Sequence, residues 1–378
     1  MISTDLVVLK NISQVINSSS ICSGNTCLNS TNLQALKTLI GVSTNVTEIY
    51  CVPTENSAVS IYAGTGALGS ADGARLSATF NIPRGLAITS NGTVFVVDSD
   101  NHLIRRISPE GVVSRFAGSV SGFAEGQGSA AKFQLPHGII IAPNGNMYVT
   151  DYLNNRIRQI TPSGVVTTIA GSGSAGSADG NGTSASMNGP AQITLTTDGI
   201  LYFTDYTNNR IRKINGTMVT TFAGSGSVGS ADGLGTAASF NGPWGITSDS
   251  SGNVYVSELH NNKIRKITPA GLVSTYAGTG AAGSADGPGA SATFSFPTGI
   301  TISKNGILFV SDHSNNRIRK ITPDGQVTTI AGSTIGLADG IGIQSRFKNP
   351  HGITISSNGT LYVADTNNYC IRKIDPVC

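Results

Sequence analysis

No cysteine lies between residues 52 and 369. The five in the chain are Cys22, Cys27 and Cys51 ahead of that stretch and Cys370 and Cys378 at its end. Disulfides can therefore fasten only the flanks, and the odd count allows at most two bridges within one chain. No apolar run approaches the ~18 residues that mark a membrane-crossing helix. Residues 1–10 lack the basic start of a secretory signal, and Asp5 interrupts their apolar run. Charge is also scarce: 12% of residues are charged and the formal net charge is +3, so bulk electrostatics predict no polyanionic partner. There is no Gly-x-Ser-x-Gly elbow, no carboxylate pair unique to one segment, and no phosphate loop opening a helix. What is plentiful is glycine, with 47 residues, among many Ser, Thr and Asn. A surface so low in charge points to an extracellular setting.

A single unit recurs. Its best-defined copy runs from Gly242 to Gly280, and an acidic residue follows a Val-Tyr-Val-like run at Asp98, Asp151, Asp205, Glu258, Asp312 and Asp365. Their spacing alternates between 53 and 54 residues. Within the unit, four short stretches alternate in polarity: one after a proline (Gly245 to Thr247), then Val254 to Ser257, Lys263 to Ile267 and Leu272 to Ala277. Gly, Asn and Pro punctuate them, as turns between strands do. Six copies of four antiparallel strands predict an all-β, six-bladed propeller.

The run Asp151 to Ile160 (DYLNNRIRQI) and its copies resemble the NHL repeat over Val59 to Ile374. The resemblance implies the propeller fold but not one function, because NHL propellers bind RNA, proteins or ligands and a few are enzymes.

Residues 1–57 stand outside the repeat and form an N-terminal extension; residues 58–378 form the propeller. Asn32 to Ile40 carries a short helical pattern, and Asn11, Asn17, Asn29 and Asn45 are glycosylation sequons. Val59 to Ala63 matches a fourth strand, and the last copy ends after its third, at Ile374. The N-terminal strand is therefore expected to finish blade six and remove two open sheet edges. That closure brings Cys51 beside Cys378, and a bridge there is worth ~4 kcal/mol in the chain-entropy account. Cys22 and Cys27 are spaced to close a small loop.

Residues shared by all copies read as architecture. The third strands hold 15 of the 24 basic residues, but sixfold spread gives no single patch, so nucleic acid is not the expected partner. Each acidic residue after strand two is read as an Asx-type cap partnered by arginine. The Asp-Gly loops (Asp72, Asp179, Asp232, Asp286, Asp339; Glu125 in the second copy) read as turns rather than calcium sites, since calcium needs six or more oxygens.

Variation inside the pattern marks the candidate site. The residue after each opening proline is Arg84, His137, Ala191, Trp244, Thr298 or His351, and the residue after each acid is Ser99, Tyr152, Tyr206, Leu259, His313 or Thr366. In a propeller both sets ring the axial mouth, with Trp244 across from Arg84, and a concave, mixed surface there is the default binding site. The expected function is non-catalytic recognition of a protein, glycan or small molecule through Arg84, His137, Trp244, Thr298, His351, Tyr152, Tyr206 and His313, with no cofactor. The alternative is a metal-dependent lyase or hydrolase. The mouth loosely resembles the amidating-lyase propellers, which implies zinc on His137 and His351, a structural calcium, Arg84 as the arginine and Tyr152 or Tyr206 as the tyrosine. His102 and His260 read as solvated turn residues.

Overall fold

The structure, a computed structural model, describes residues 51–377 together with two short strands, Cys22–Ser23 and Thr26–Cys27. The latter pair antiparallel with Cys22 opposite Cys27. The expected helix over Asn32 to Ile40, the four N-terminal sequons and Cys378 lie outside the described residues.

Six antiparallel sheets surround an axis. Blade four shows the plan: Pro243–Ser248 innermost, then Val254–Glu258, Lys263–Ile267 and Leu272–Ala277. Each blade has five strands rather than the expected four. Two residues of the long loop, Gly233–Leu234 in this blade, pair with the start of the fourth strand. A strand of two residues has no periodicity to read in the sequence.

The first strands of neighbouring blades touch one another all the way round. Glycine permits that approach. A Cβ at Gly352 would meet the Arg84 carbonyl, and one at Gly85 would meet the His137 carbonyl. Apolar side chains fill the space between blades in six clusters. Phe80, Phe133, Met187, Phe240, Phe294 and Phe347 occupy one repeated, fully buried position in the long loops. Losing such a ring costs ~3–5 kcal/mol.

Ala58–Ala63 is the fourth strand of blade six. Val59 pairs with Ile374 on one side and with Gly340 on the other. A further bridge joins Val52 to Val377. Cys51 is disulfide-bonded. Among the described residues no helix is long and apolar enough to cross a membrane.

The repeated charges form one buried device. Arg105, Arg158, Arg212, Arg265, Arg319 and Arg372 have no exposed surface. Each meets the acid that ends strand two of its blade at 2.7 to 3.1 Å. In five blades the same guanidinium also reaches the Asp of the Asp-Gly loop, at 2.6 to 2.9 Å. Those loop carboxylates are thus ion-pair partners, not just turn formers. The strand-two acids do not cap their own turns either. Asp98 accepts from the Asn81 N–H at 2.7 Å and from the Asn101 amide at 2.9 Å, which ties loop to blade. In blade two Glu125 accepts the Thr168 N–H, as Asp72 accepts that of Arg115, and Arg158 donates to the Ala124 carbonyl as Arg105 does to that of Ala71, but the loop ion pair itself is missing.

Candidate functional site

The start of each first strand and the turn after each second strand lie at the same end of the axis. From there the variable residues meet. His137 of blade two stacks on Tyr152, with ring centroids 4.1 Å apart and planes 21° apart. Trp244 of blade four lies 5.4 Å from His137 and 5.3 Å from His351 of blade six. Tyr206 of blade three stands edge-on to Trp244 at 4.9 Å. His313 of blade five is 6.2 Å from His351. Arg84 of blade one closes the circle, its Nη1 3.2 Å from His351 Nε2.

The indole therefore reaches over the axis instead of remaining at the rim. His137, Trp244 and His351 are each at most 7% exposed, so they plug the channel. Arg84, Tyr152, Tyr206 and His313 are half-buried and form the accessible surface around the plug. Thr298 does not join the circle. It is buried in the wall, its hydroxyl 3.3 Å from the Pro350 and His351 carbonyls, where it steadies the strand that carries His351. Ser99 and Thr366 act similarly, donating to the carbonyls of Pro136 and Pro83 in the next blade.

Space for the two tyrosines comes from glycine. A Cβ on Gly189 would lie 3.0 Å from the Tyr152 ring, and one on Gly242 would lie 3.1 Å from Tyr206. Both glycines have φ +64°, a left-handed conformation. Where the preceding blade supplies Thr366, Ser99, Leu259 or His313, the same position is Ile82, Leu135, Phe296 or Asn349, also at positive φ. A non-glycine residue held there costs on the order of 1–2 kcal/mol.

Charge and burial set the protonation states. Burial and the Arg84 charge hold His137 and His351 well below the usual imidazole range, and the same causes bring His313 down to about 4. All three are neutral at pH 7. Burial also lowers the Arg84 guanidinium, partly opposed by Asp100 and Tyr152. Burial raises the Tyr152 and Tyr206 phenols. Because Arg84 can only donate, His351 Nε2 accepts, and the ring hydrogen of His351 sits on Nδ1.

Two histidines read as solvated do structural tasks. His102 Nδ1 accepts the Leu135 N–H at 3.2 Å, replacing the Asn side chain that performs this blade-to-blade clasp at Asn155, Asn209, Asn262 and Asn316. His260 Nε2 lies 3.1 Å from the Tyr206 hydroxyl and so extends the aromatic group. A period-based reading would find His102 by asking what the replaced Asn does.

Among the described residues no set of three or more His, Cys, Asp or Glu side chains converges as metal ligands do. His351 gives Nε2 to a guanidinium, which puts a cation where a zinc ion would need to sit. At the opposite end of the axis, a cavity of about 390 Å³ is lined mainly by Ser248, Asp249, Ser251, Ile302, Ser303 and Lys304. Sequence reasoning missed it because these turn residues carry no distinctive spacing.

Comparison with known proteins places the fold in a family. The NHL repeat model matches residues 80–107, 240–267, 294–321 and 347–374. Human NHL repeat-containing protein 2 is 29% identical over 334 residues, covering 81% of this chain and 40% of that protein. The Arabidopsis thaliana protein SUPPRESSOR OF QUENCHING 1, chloroplastic, is 28% identical over 286 residues, covering 68% of this chain and 26% of that one. The chain thus spans less than half the length of these curated relatives. A solved auxiliary nutrient binding protein from Bacteroides ovatus superposes with a TM-score of 0.64 at 17% identity, covering 85% of this chain and 77% of that one. With four matched repeats and two more blades built on the same plan, the chain is an NHL-repeat six-bladed β-propeller.

Proposed function

We propose that this propeller is a non-catalytic binding module that seats a ligand at the axial mouth, over the plug made by His137, Trp244 and His351. The supporting observation is the meeting of five rings and one guanidinium from five blades at a single point. Rings buried this way offer apolar faces, and the half-buried Arg84, Tyr152, Tyr206 and His313 supply directional polar contacts. No carboxylate stands among these residues, so the polar groups they offer are neutral imidazoles, phenols, an indole and one guanidinium. The Bacteroides ovatus neighbour shares the fold and is described as binding nutrients, which agrees with a binding role without specifying the ligand.

The test is a screen of sugars, organic acids, amino acids and short peptides by thermal shift, followed by mass analysis of each hit. Hits should raise the melting temperature of the wild type, raise it less in Tyr152→Ala and Trp244→Phe, and be recovered unchanged. Conversion of a hit to a product, abolished by His137→Ala, lost from the wild type on chelation and restored to the wild type by added zinc, would instead establish the lyase or hydrolase reading. Equal shifts in wild type and both variants would move the site elsewhere.

An extracellular setting belongs to the same proposal. Asn91, Asn181, Asn215 and Asn358 each open an Asn-Gly-Thr sequon and are exposed. Expression in a eukaryotic secretory host, with mass loss on enzymatic removal of N-glycans, checks it; an unmodified intracellular product would contradict it.

A further inference from the structure

We propose that the axial site is built for a ligand bearing a single carboxylate, held by Arg84 with the imidazole and indole N–H groups beside it. The inference rests on the mouth being the binding site and adds the chemistry of what it takes.

The first observation is a cation without a counter-ion. Arg84 makes one hydrogen bond, to His351, and no ion pair among the described residues. This sets it apart from the six buried arginines of the blades, each of which meets at least one carboxylate within 3.1 Å. The nearest influential acid, Asp100, is exposed and outside ion-pair distance. The sequence can place carboxylates beside arginine, since it does so in every blade. At the mouth it does not.

The second observation is a surplus of donors. Trp244 Nε1 and the Nδ1 atoms of His137 and His351 are buried and have no partner within the protein. Indole nitrogen can only donate, and His351 Nδ1 must carry the ring hydrogen because Nε2 accepts from Arg84. The site is therefore rich in N–H and poor in oxygen acceptors. Buried donors of this kind are normally satisfied. An oxyanion supplies what is missing, and an arginine fork fits a carboxylate with two parallel hydrogen bonds.

Charge matching selects one negative charge over two. The imidazoles are neutral at pH 7, so Arg84 carries the positive charge of this group of side chains. A phosphate near two negative charges would exceed it; a carboxylate balances it. The rings of Tyr152, Tyr206 and Trp244 favour a ligand whose carboxylate is attached to a flat or apolar body.

Titration calorimetry on the whole chain at neutral pH tests this with matched probes: glucuronate against glucose, benzoate against benzamide, and inorganic phosphate. At least one carboxylate should bind tenfold or more tightly than its neutral partner and more tightly than phosphate. Arg84→Met should weaken it at least tenfold, and Arg84→Lys, which keeps the charge but loses the fork, should fall between. Melting temperatures of both variants within a few degrees of wild type would show that folding is intact; the Lys variant carries the test if the Met variant is unstable. Equal binding of the neutral partner, unchanged affinity in both variants, tighter phosphate binding, or no carboxylate binding would each overturn the inference. A neutral probe that binds and is lost in Trp244→Phe would leave the mouth as the binding site while removing the anion.

Discussion

Arg84 and His351 are 267 residues apart in sequence, and their side chains meet at 3.2 Å across the seam where blade one adjoins blade six. The contact ties ring closure to the candidate site. Anything that loosens the seam also moves the guanidinium that stands among the rings of the mouth.

The histidines give the pH dependence a definite sign. Their pKa values are lower in the folded chain than the ordinary 6.5 of an unfolded one. Below about pH 6.5 the unfolded chain takes up protons that the folded chain refuses, so this contribution to stability is full above that pH and is lost as pH falls, down to about 4 for His313. Buried acids act in the other direction, burial pushing Asp365 up to about 6, so the comparison must be with a variant that shares them. His351→Gln, which keeps an acceptor for Arg84, should lose less melting temperature than wild type between about pH 7.5 and about pH 5. Scanning calorimetry at both pH values checks this; parallel losses would mean that His351 is already protonated or exposed.

The buried arginines should be unequal to their two partners in mutational cost. Arg265→Met leaves Glu258 buried without its cation and should cost ~3–5 kcal/mol. Asp232→Asn removes a half-exposed carboxylate from the same guanidinium and should cost under ~1 kcal/mol. Urea denaturation of the two variants measures the difference.

At the axis, glycine sets how near the blades can come. Gly352→Ala places a methyl group on the Arg84 carbonyl and should destabilise by ~1–3 kcal/mol while weakening any ligand that depends on Arg84. Gly189→Ala adds strain at φ +64° and pushes on the Tyr152 ring, so its signature is loss of the His137–Tyr152 stack as well as stability. Wild-type stability in either variant would mean the inner strands have slack.

Closure should be chemically visible. Val52 pairs with Val377, and Cys51 is disulfide-bonded. The expected partner is Cys378. Peptide mapping without reduction should find these two cysteines in one linked fragment and Cys370, which is buried and free, as a thiol. A Cys51 linkage to Cys22 or Cys27 would instead fasten the extension to the ring.

Much of this was legible in the sequence, and the limits have physical causes. The 53- or 54-residue period, the missing last strand and the spare first one lead directly to six blades and their closure. The ring positions Arg84, His137, Trp244 and His351 follow from register alone. Register gives the position of a side chain but not its reach: Trp244 is long enough to cross the axis, and Thr298 short enough to turn into the wall. The second partner of five of the buried arginines was hidden because the two acids lie 26 residues apart in the blade that joins Asp72 and Asp98, and no local pattern links them. The clasp made by His102 looks like a broken motif until the Asn it replaces is seen to be an acceptor.

Trp244 is the sole tryptophan of the chain and stands at the centre of the proposed site, so it reports on that site without modification. In protein labelled with nitrogen-15, its indole N–H gives one signal. Titration with a mixture of small sugars, organic acids and amino acids should shift that signal for every component that binds. Binders that leave the indole signal in place while moving the backbone signals of Asp249 to Ser251, at the far end of the axis, would show that the ligand site is not at the mouth.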